Sequence, residues 1–128
     1  VGDHFYSNFN LTVVDDVSVT IGNCVMCAPN VTISTTGHPV HPYYRTRGAH
    51  FSLPIVIEDN VWIGANVAIM PGVTICKNSV IGAGSVVTRD IPANVVAFGT
   101  PCRVIRPITD ADLETIRPGA TINEDWNL

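Results

Sequence analysis

The sequence predicts an all-β fold, a parallel β-helix, and three columns of residues predict it. From Ile57 an aliphatic residue returns every sixth position, through Ile63, Ile69, Ile75 and Ile81 to Val87. Three positions after each stands Asn60, Asn66, Gly72, Asn78, Gly84 or Asp90. Four positions after each stands a small or β-branched residue: Val61, Val67, Val73, Ser79, Ser85 and Ile91. A fixed period of this kind outranks local propensity as evidence of architecture.

Each column has a physical reason. β-Branched side chains suit an extended backbone and can point into a narrow core. Asn, Gly and Asp tolerate the left-handed backbone region, so their column marks corners. Short strands broken by such corners make a three-sided coil of roughly 18 residues, and successive coils stack as parallel strands about 4.8 Å apart. A β-sandwich turns about every 8–12 residues, which this period does not fit.

The chain divides in order along these columns. Val1, Ser7 and Val13 form a first run, and Ile21, Cys27 and Ile33 a second, with Asn10 and Asn30 at corner positions. The spacing between Val13 and Ile21 is too long for the repeat, so residues bulge near Asp15 and Asp16. From Ser34 to Pro54 the pattern lapses into a long loop, STTGHPVHPYYRTRGAHFSLP, which holds every histidine except His4. Long structureless insertions in compact domains are uncommon and usually functional. Past Asp90 the repeat fades toward Gly99-Thr100-Pro101, and Thr109 to Ile116 is expected to form a short helix capped by Thr109. The reading is one β-helix domain over 1–108, a protruding loop over about 34–54, and a C-terminal tail over 109–128.

Composition bounds the function. Hydrophobic residues make up 46% and charged residues 14%, enough for a core and sparse for the surface of a lone monomer. A net charge of −4 offers no basic field for nucleic acid. No apolar run approaches the roughly 18 residues of a membrane span, and no secretory signal opens the chain, so a cytoplasmic location is expected. Cys24, Cys27, Cys76 and Cys102 make no convincing disulfide set and are expected to be reduced and mostly buried. Cys24 and Cys27 spell C-x-x-C, but no second ligand pair follows. The Asn10 and Asn30 glycosylation patterns are by-products of the repeat.

Within the loop, His38 sits between Gly37 and Pro39 where the chain leaves the prism. Histidine ordinarily titrates near pH 6.5, which suits general-base work. From the residues alone, a polar loop histidine remains the alternative reading.

Four stretches carry a family resemblance. They are Thr36-Gly37-His38-Pro39-Val40-His41, Asn60-Val61-Trp62-Ile63-Gly64, Ile81-Gly82-Ala83-Gly84-Ser85-Val86-Val87-Thr88 and Gly99-Thr100-Pro101-Cys102-Arg103-Val104-Ile105-Arg106. Together they resemble the hexapeptide-repeat sugar O-acetyltransferases, meaning the maltose, galactoside and nodulation acetyltransferases, from Val1 to about Ile108. The resemblance implies a left-handed β-helix, acetyl-CoA as acetyl donor, no metal, and a homotrimer with active sites between subunits. It implies His38 as general base for direct transfer to a sugar hydroxyl. It assigns Asn8, Asp16 and nearby Tyr6 to the acceptor, although Asp16 also fits a corner position. The Ala65 backbone N–H is implied as oxyanion donor. Ala83, Thr88, Arg89, Arg103 and Arg106 match CoA contacts, and Trp62 fits either a packing role or a CoA wall.

The sequence also departs from that family. Its members usually carry an N-terminal helical segment that adds acceptor contacts, whereas Val1-Gly2 already lies inside a coil. The loop tip Arg47-Gly48-Ala49-His50 differs from the commoner family residues. His41 and His50 read as structural or rim residues, and the H-x-x-x-x-H spacing of zinc-dependent hexapeptide carbonic anhydrases is absent. Two other readings stay open. One is an acyltransferase for another hydroxyl, on an antibiotic or serine, although the ending Asp125-Trp126-Asn127-Leu128 lacks the C-terminal Ile of serine acetyltransferases. The other is a non-catalytic trimeric scaffold.

Overall fold

The protein, seen in a computed structural model that describes residues 1–119, is a left-handed parallel β-helix. Three sheets make its faces. The first face stacks Tyr6–Ser7, Met26–Cys27, Trp62–Ile63, Val80–Ile81 and Val95–Phe98, and Arg103–Pro107 adds an antiparallel edge strand. The second stacks Thr12–Val14, Thr32–Ser34, Ala68–Ile69 and Val86–Val87. The third stacks Val19–Ile21, Ile55–Ile57 and Thr74–Ile75, with Ile91 bridged to Ile75.

The pairing register records each interruption of the repeat. Trp62 pairs with Val80 one regular coil on, the 18-residue offset that also separates Asn60 from its partner Asn78. Between the first two coils the offset is 20, as from Asn10 to Asn30, so the Asp15–Asp16 bulge absorbs two residues without disturbing Tyr6↔Met26 or Thr12↔Thr32. Across the loop it is 36, as from Asn23 to Asp59, so an entire coil's length leaves the prism and returns in register. In the last coil it is 16, from Asn78 to Asn94. That shortened coil is why the periodicity fades after Asp90.

The aliphatic column is the core. Ile33, Ile57, Ile63, Ile69, Ile75, Ile81 and Val87 are fully buried, with Val61, Val67 and Val73 beside them. Two serines share this interior and are satisfied there. Ser79 donates to the Pro92 carbonyl at 2.6 Å and Ser85 to the Gly82 carbonyl at 2.6 Å. Val1 and Val13, in the first coil, are exposed.

The corner column is also real. Asn10, Asn30, Asn60, Asn66 and Asn78 all have φ near 60°, and Gly72 and Gly84 lie in the same left-handed region. Asp90 was expected there and does not adopt it. Its carboxylate instead accepts the Thr74 amide at 2.8 Å, and Asn94, with φ 60°, turns the shortened coil. The asparagines bond to one another up one edge, from Asn60 to Asn78 at 3.0 Å and from Asn78 to Asn94 at 2.7 Å.

Of two further expectations, the loop is corrected and the short helix capped by Thr109 is found, shortened to a 3₁₀ turn. The Ser34–Pro54 segment is not structureless. Thr36–Gly37 and Phe51–Ser52 pair as an antiparallel ribbon, and Pro42–Arg45 forms one helical turn at its tip. The expected helix at Thr109 to Ile116 is a 3₁₀ turn over Asp110–Glu114, whose Asp112 carboxylate accepts the Thr109 amide at 2.9 Å. The end of the 109–128 tail, including the Asp125-Trp126-Asn127-Leu128 ending, lies outside the described residues.

Cys24 and Cys27 are separated by the same logic. Cys24 is an exposed corner residue with φ 56°, and Cys27 points into the core, where burial pushes its thiol up to about 11. Of the four cysteines, Cys27 and Cys102 are buried, Cys76 is half-buried and Cys24 is exposed.

Candidate active site

The fold sorts the candidate residues onto two edges of the prism. Where the first face turns into the second, successive coils place Asn8, Ala28, Gly64-Ala65 and Gly82-Ala83 above one another. Where the second face turns into the third, they place the Asp15–Asp16 bulge, the arm carrying His38, and Thr88-Arg89. Asp16 and His38 therefore share an edge, and Asn8 and Ala65 share another. The second face lies between them.

The two interruptions of the repeat are bonded to each other at the root of the arm. Buried Thr35 donates its hydroxyl to the Val14 carbonyl at 2.8 Å, and Thr36 donates its hydroxyl to Asp16 Oδ2 at 2.8 Å. Asp16 is a bulge residue and not a left-handed corner. Beside it, a hollow of about 600 Å³ opens over Phe5, Leu11 and Val19 at the first coil.

His38 follows Gly37, against which the Phe51 ring packs so closely that an added Cβ would stand 2.5 Å from the ring. His38 Nδ1 lies 3.3 Å from the Ala49 carbonyl oxygen. A carbonyl only accepts, so this contact puts the hydrogen on Nδ1 and leaves the Nε2 lone pair available to take a proton. The exposed His50 ring stands edge-on at 6.4 Å. His41, Tyr43 and Arg47 act within the arm. His41 Nδ1 caps the helical turn by accepting the Tyr43 amide at 3.0 Å, and Arg47 lies 3.6 Å over the Tyr43 ring. Among the described residues no group of three or more His, Cys, Asp or Glu could hold a metal ion.

On the other edge, Asn8 is engaged with its neighbours. Its side-chain oxygen accepts the Phe9 amide at 2.8 Å, and its amide group faces the Tyr6 hydroxyl at 3.4 Å. Ala65 stands at the coil corner between Gly64, whose amide donates to Ile81, and Asn66, whose amide donates to Pro29. Among the described residues nothing accepts from the Ala65 N–H itself. The coils stack so tightly here that a Cβ on Gly64 would lie 2.6 Å from the Ala83 amide nitrogen.

The basic candidates do not gather in one place. Arg89 and Thr88 stay on the arm's edge, whereas Arg103 and Arg106 lie on the antiparallel strand of the first face. Arg106 is held by Asp112 in a bidentate pair at 2.9 and 3.0 Å. That hydrogen-bonded pairing draws the Asp112 carboxyl below the usual carboxylate range and raises Arg106. Trp62, 53% exposed, stands between Met26 and Val80 in a lateral column on the first face. A cleft of about 500 Å³ runs between Trp62, Val80 and Val96 and the segment bearing Arg106, Ile116 and Arg117. The repeat gave no sign of Ile116 or Arg117, which lie beyond it.

A prism of hexapeptide coils with one histidine-bearing arm defines a class, the hexapeptide-repeat proteins. The chain belongs within it to the hexapeptide-repeat acetyltransferase family. Residues 54–89 match the family described as bacterial transferase hexapeptide (six repeats). The galactoside O-acetyltransferase of Escherichia coli (strain K12) is 65% identical over 112 residues, covering 88% of this chain and 55% of that protein. A solved galactoside acetyltransferase in complex with coenzyme A superposes with a TM-score of 0.92 at 61% identity, covering 94% of this chain and 60% of the other. A hexapeptide-repeat-containing acetyltransferase of Vibrio cholerae O1 biovar eltor, solved with acetyl coenzyme A, gives a TM-score of 0.62 at 32% identity, covering 86% and 68%. The chain spans little more than half the length of the curated E. coli relative.

Proposed function

We propose that the protein transfers an acetyl group from acetyl-CoA to a hydroxyl of a galactoside- or maltose-like sugar. The observation that carries the reading is His38, seated on its own arm with Nδ1 committed to the Ala49 carbonyl and Nε2 left to act as base. The likeness to galactoside acetyltransferases, one solved with coenzyme A, supports the donor and the acceptor class.

In this reading the acceptor hydroxyl attacks the thioester carbonyl while His38 Nε2 takes its proton. The C–O bond forms, the C–S bond breaks, and the proton passes on to the departing thiolate, so transfer is direct. The Ala65 N–H donates to the oxyanion that develops on the carbonyl. Asp16, Asn8 and Tyr6 hold the sugar's other hydroxyls and fix its approach. Ala83, Thr88, Arg89, Arg103 and Arg106 hold the CoA moiety, with Trp62 as a wall of its cleft.

The separation of the two edges supports a homotrimer. A site between neighbouring copies unites the His38 arm of one subunit with the Asn8–Ala65–Ala83 edge of the next. A donor that circulates inside the cell fits a cytoplasmic location, and among the described residues no helix is long and apolar enough to cross a membrane.

The test is acetyl transfer from acetyl-CoA to simple galactosides and maltosides, by wild type and by His38→Ala. Loss of a general base lowers kcat by about 10²–10⁴-fold. Unchanged turnover in the variant would remove His38 from the mechanism. Preference for serine or an antibiotic hydroxyl would replace the sugar, and failure to bind CoA in calorimetry would leave a trimeric scaffold.

A further inference from the structure

We infer that Thr36, backed by Ser52, is a positioning residue that aims the Asp16 carboxylate at the acceptor. The inference rests on the proposed role of Asp16 and adds the means by which its side chain is held.

The direction of each hydrogen bond follows from what the groups can do. The Thr36 hydroxyl lies 2.8 Å from Asp16 Oδ2, and a carboxylate oxygen only accepts, so Thr36 spends its single hydrogen there. The Thr36 and Ser52 hydroxyls lie 3.1 Å apart. With its hydrogen already spent, Thr36 must accept in that contact and Ser52 must donate. The result is a one-way chain, Ser52 to Thr36 to Asp16. Such a chain holds Oδ2 in place and leaves Oδ1 for a ligand hydroxyl.

The chain is anchored on a rigid base. Thr36 and Ser52 are register partners in the arm's ribbon, and both are half-buried. The Thr36 backbone is held further by Ser34, whose hydroxyl donates to the Thr36 carbonyl at 3.3 Å. Next to Thr36, the Thr35 hydroxyl and amide both donate to the Val14 carbonyl, at 2.8 and 3.0 Å, which fixes the arm relative to the bulge. His38 follows the strand Thr36–Gly37 directly, two residues after Thr36. The strand Thr36–Gly37 thus steers the carboxylate and leads directly into the base. Their relative placement is set by the ribbon, while Asp16 itself is an exposed side chain on a bulge. Without Thr36 it would sample several rotamers, and each binding event would have to order it again.

The experiment measures steady-state kinetics with a galactoside as varied acceptor and acetyl-CoA as varied donor. Thr36→Val keeps the side chain's shape and removes the hydroxyl. It is expected to raise the acceptor KM about tenfold, the worth of one charge-assisted hydrogen bond, with kcat and the acetyl-CoA KM within about twofold of wild type. Thr36→Ser should restore most of the loss, and Ser52→Ala should show a smaller rise. In an Asp16→Ala background, Thr36→Val should add nothing. An unchanged acceptor KM in Thr36→Val, or an equal further loss in the Asp16→Ala background, overturns the inference. So does a rise in both KM values that Thr36→Ser fails to rescue, since that is the mark of a structural defect. A wild-type protein that acetylates no sugar defeats the underlying functional reading instead, and is seen before any variant is made.

Discussion

The buried hydroxyl of Thr35 donates to the carbonyl of Val14 at 2.8 Å, and the Thr35 amide shares the same acceptor at 3.0 Å. Val14 is the last strand residue before the bulge, and Thr35 is the first residue of the arm past its strand. The chain leaves the prism at both points, and this pair closes the gap between them. Thr35 is 0% exposed, so its hydroxyl has no water to turn to.

Thr35→Val should therefore destabilise the protein by about 1 kcal/mol. The loss stays modest because the Val14 carbonyl keeps the Thr35 amide as a donor and is not orphaned. Thr35→Ala should cost more, since it also leaves a small void in a packed interior. Urea denaturation of the two variants checks both the size and the order. Equal losses in Val and Ala would mean that packing at this position contributes nothing.

The columns that were legible in the sequence are the ones that physical chemistry makes degenerate. Ile63 and Ile81 need only be β-branched and apolar, and Asn60 and Asn78 need only tolerate positive φ, so one residue type repeats and the period shows. The two interruptions were visible for the same reason, as losses of period at Asp15–Asp16 and at Ser34–Pro54. What filled them was not. The Thr36–Ser52 ribbon has two residues per strand, too few for an alternating pattern to stand out. Asp90 looked like a corner because corner and bulge residues share a composition, and only the shortened coil shows that Asn94 does that work. The Arg106–Asp112 pair joins a strand to a turn beyond the repeat, where spacing carried no information.

The asparagine ladder gives a test of what the corner column contributes. Asn78 accepts from Asn60 and donates to Asn94, and it holds φ 66°. Asn78→Ala removes both rungs and places a Cβ-bearing residue without a compensating amide in the left-handed region, for a cost of about 2 kcal/mol. Asn78→Gly removes the rungs but relieves the backbone, so about half of that loss should return. The stability order expected from denaturant midpoints is wild type, then Gly, then Ala. Equal Gly and Ala values would assign the whole effect to the amide bonds.

The Arg106–Asp112 pair makes its prediction through pH and through the donor. The carboxyl of Asp112 is drawn below its ordinary range first by the Arg106 hydrogen bonds and then by the Thr109 amide. A carboxyl depressed in the folded state stabilises above its unfolded pKa, about 3.9, and loses that contribution as pH falls through the folded value. The 3₁₀ turn should thus be insensitive between pH 7 and 5 and loosen below about pH 4, visible as a lower hydrogen-exchange protection factor at the Thr109 amide. At neutral pH the same pair occupies a guanidinium proposed to meet CoA phosphates. An exposed ion pair is weak and gives way to a better anion. Asp112→Asn should free Arg106 and lower the acetyl-CoA KM about two- to fivefold, with the gain shrinking at high salt and the acceptor KM unchanged. A rise in the acetyl-CoA KM would mean that the pair serves to hold the wall of the Trp62 cleft, and that Arg106 acts through that wall and not on the phosphates.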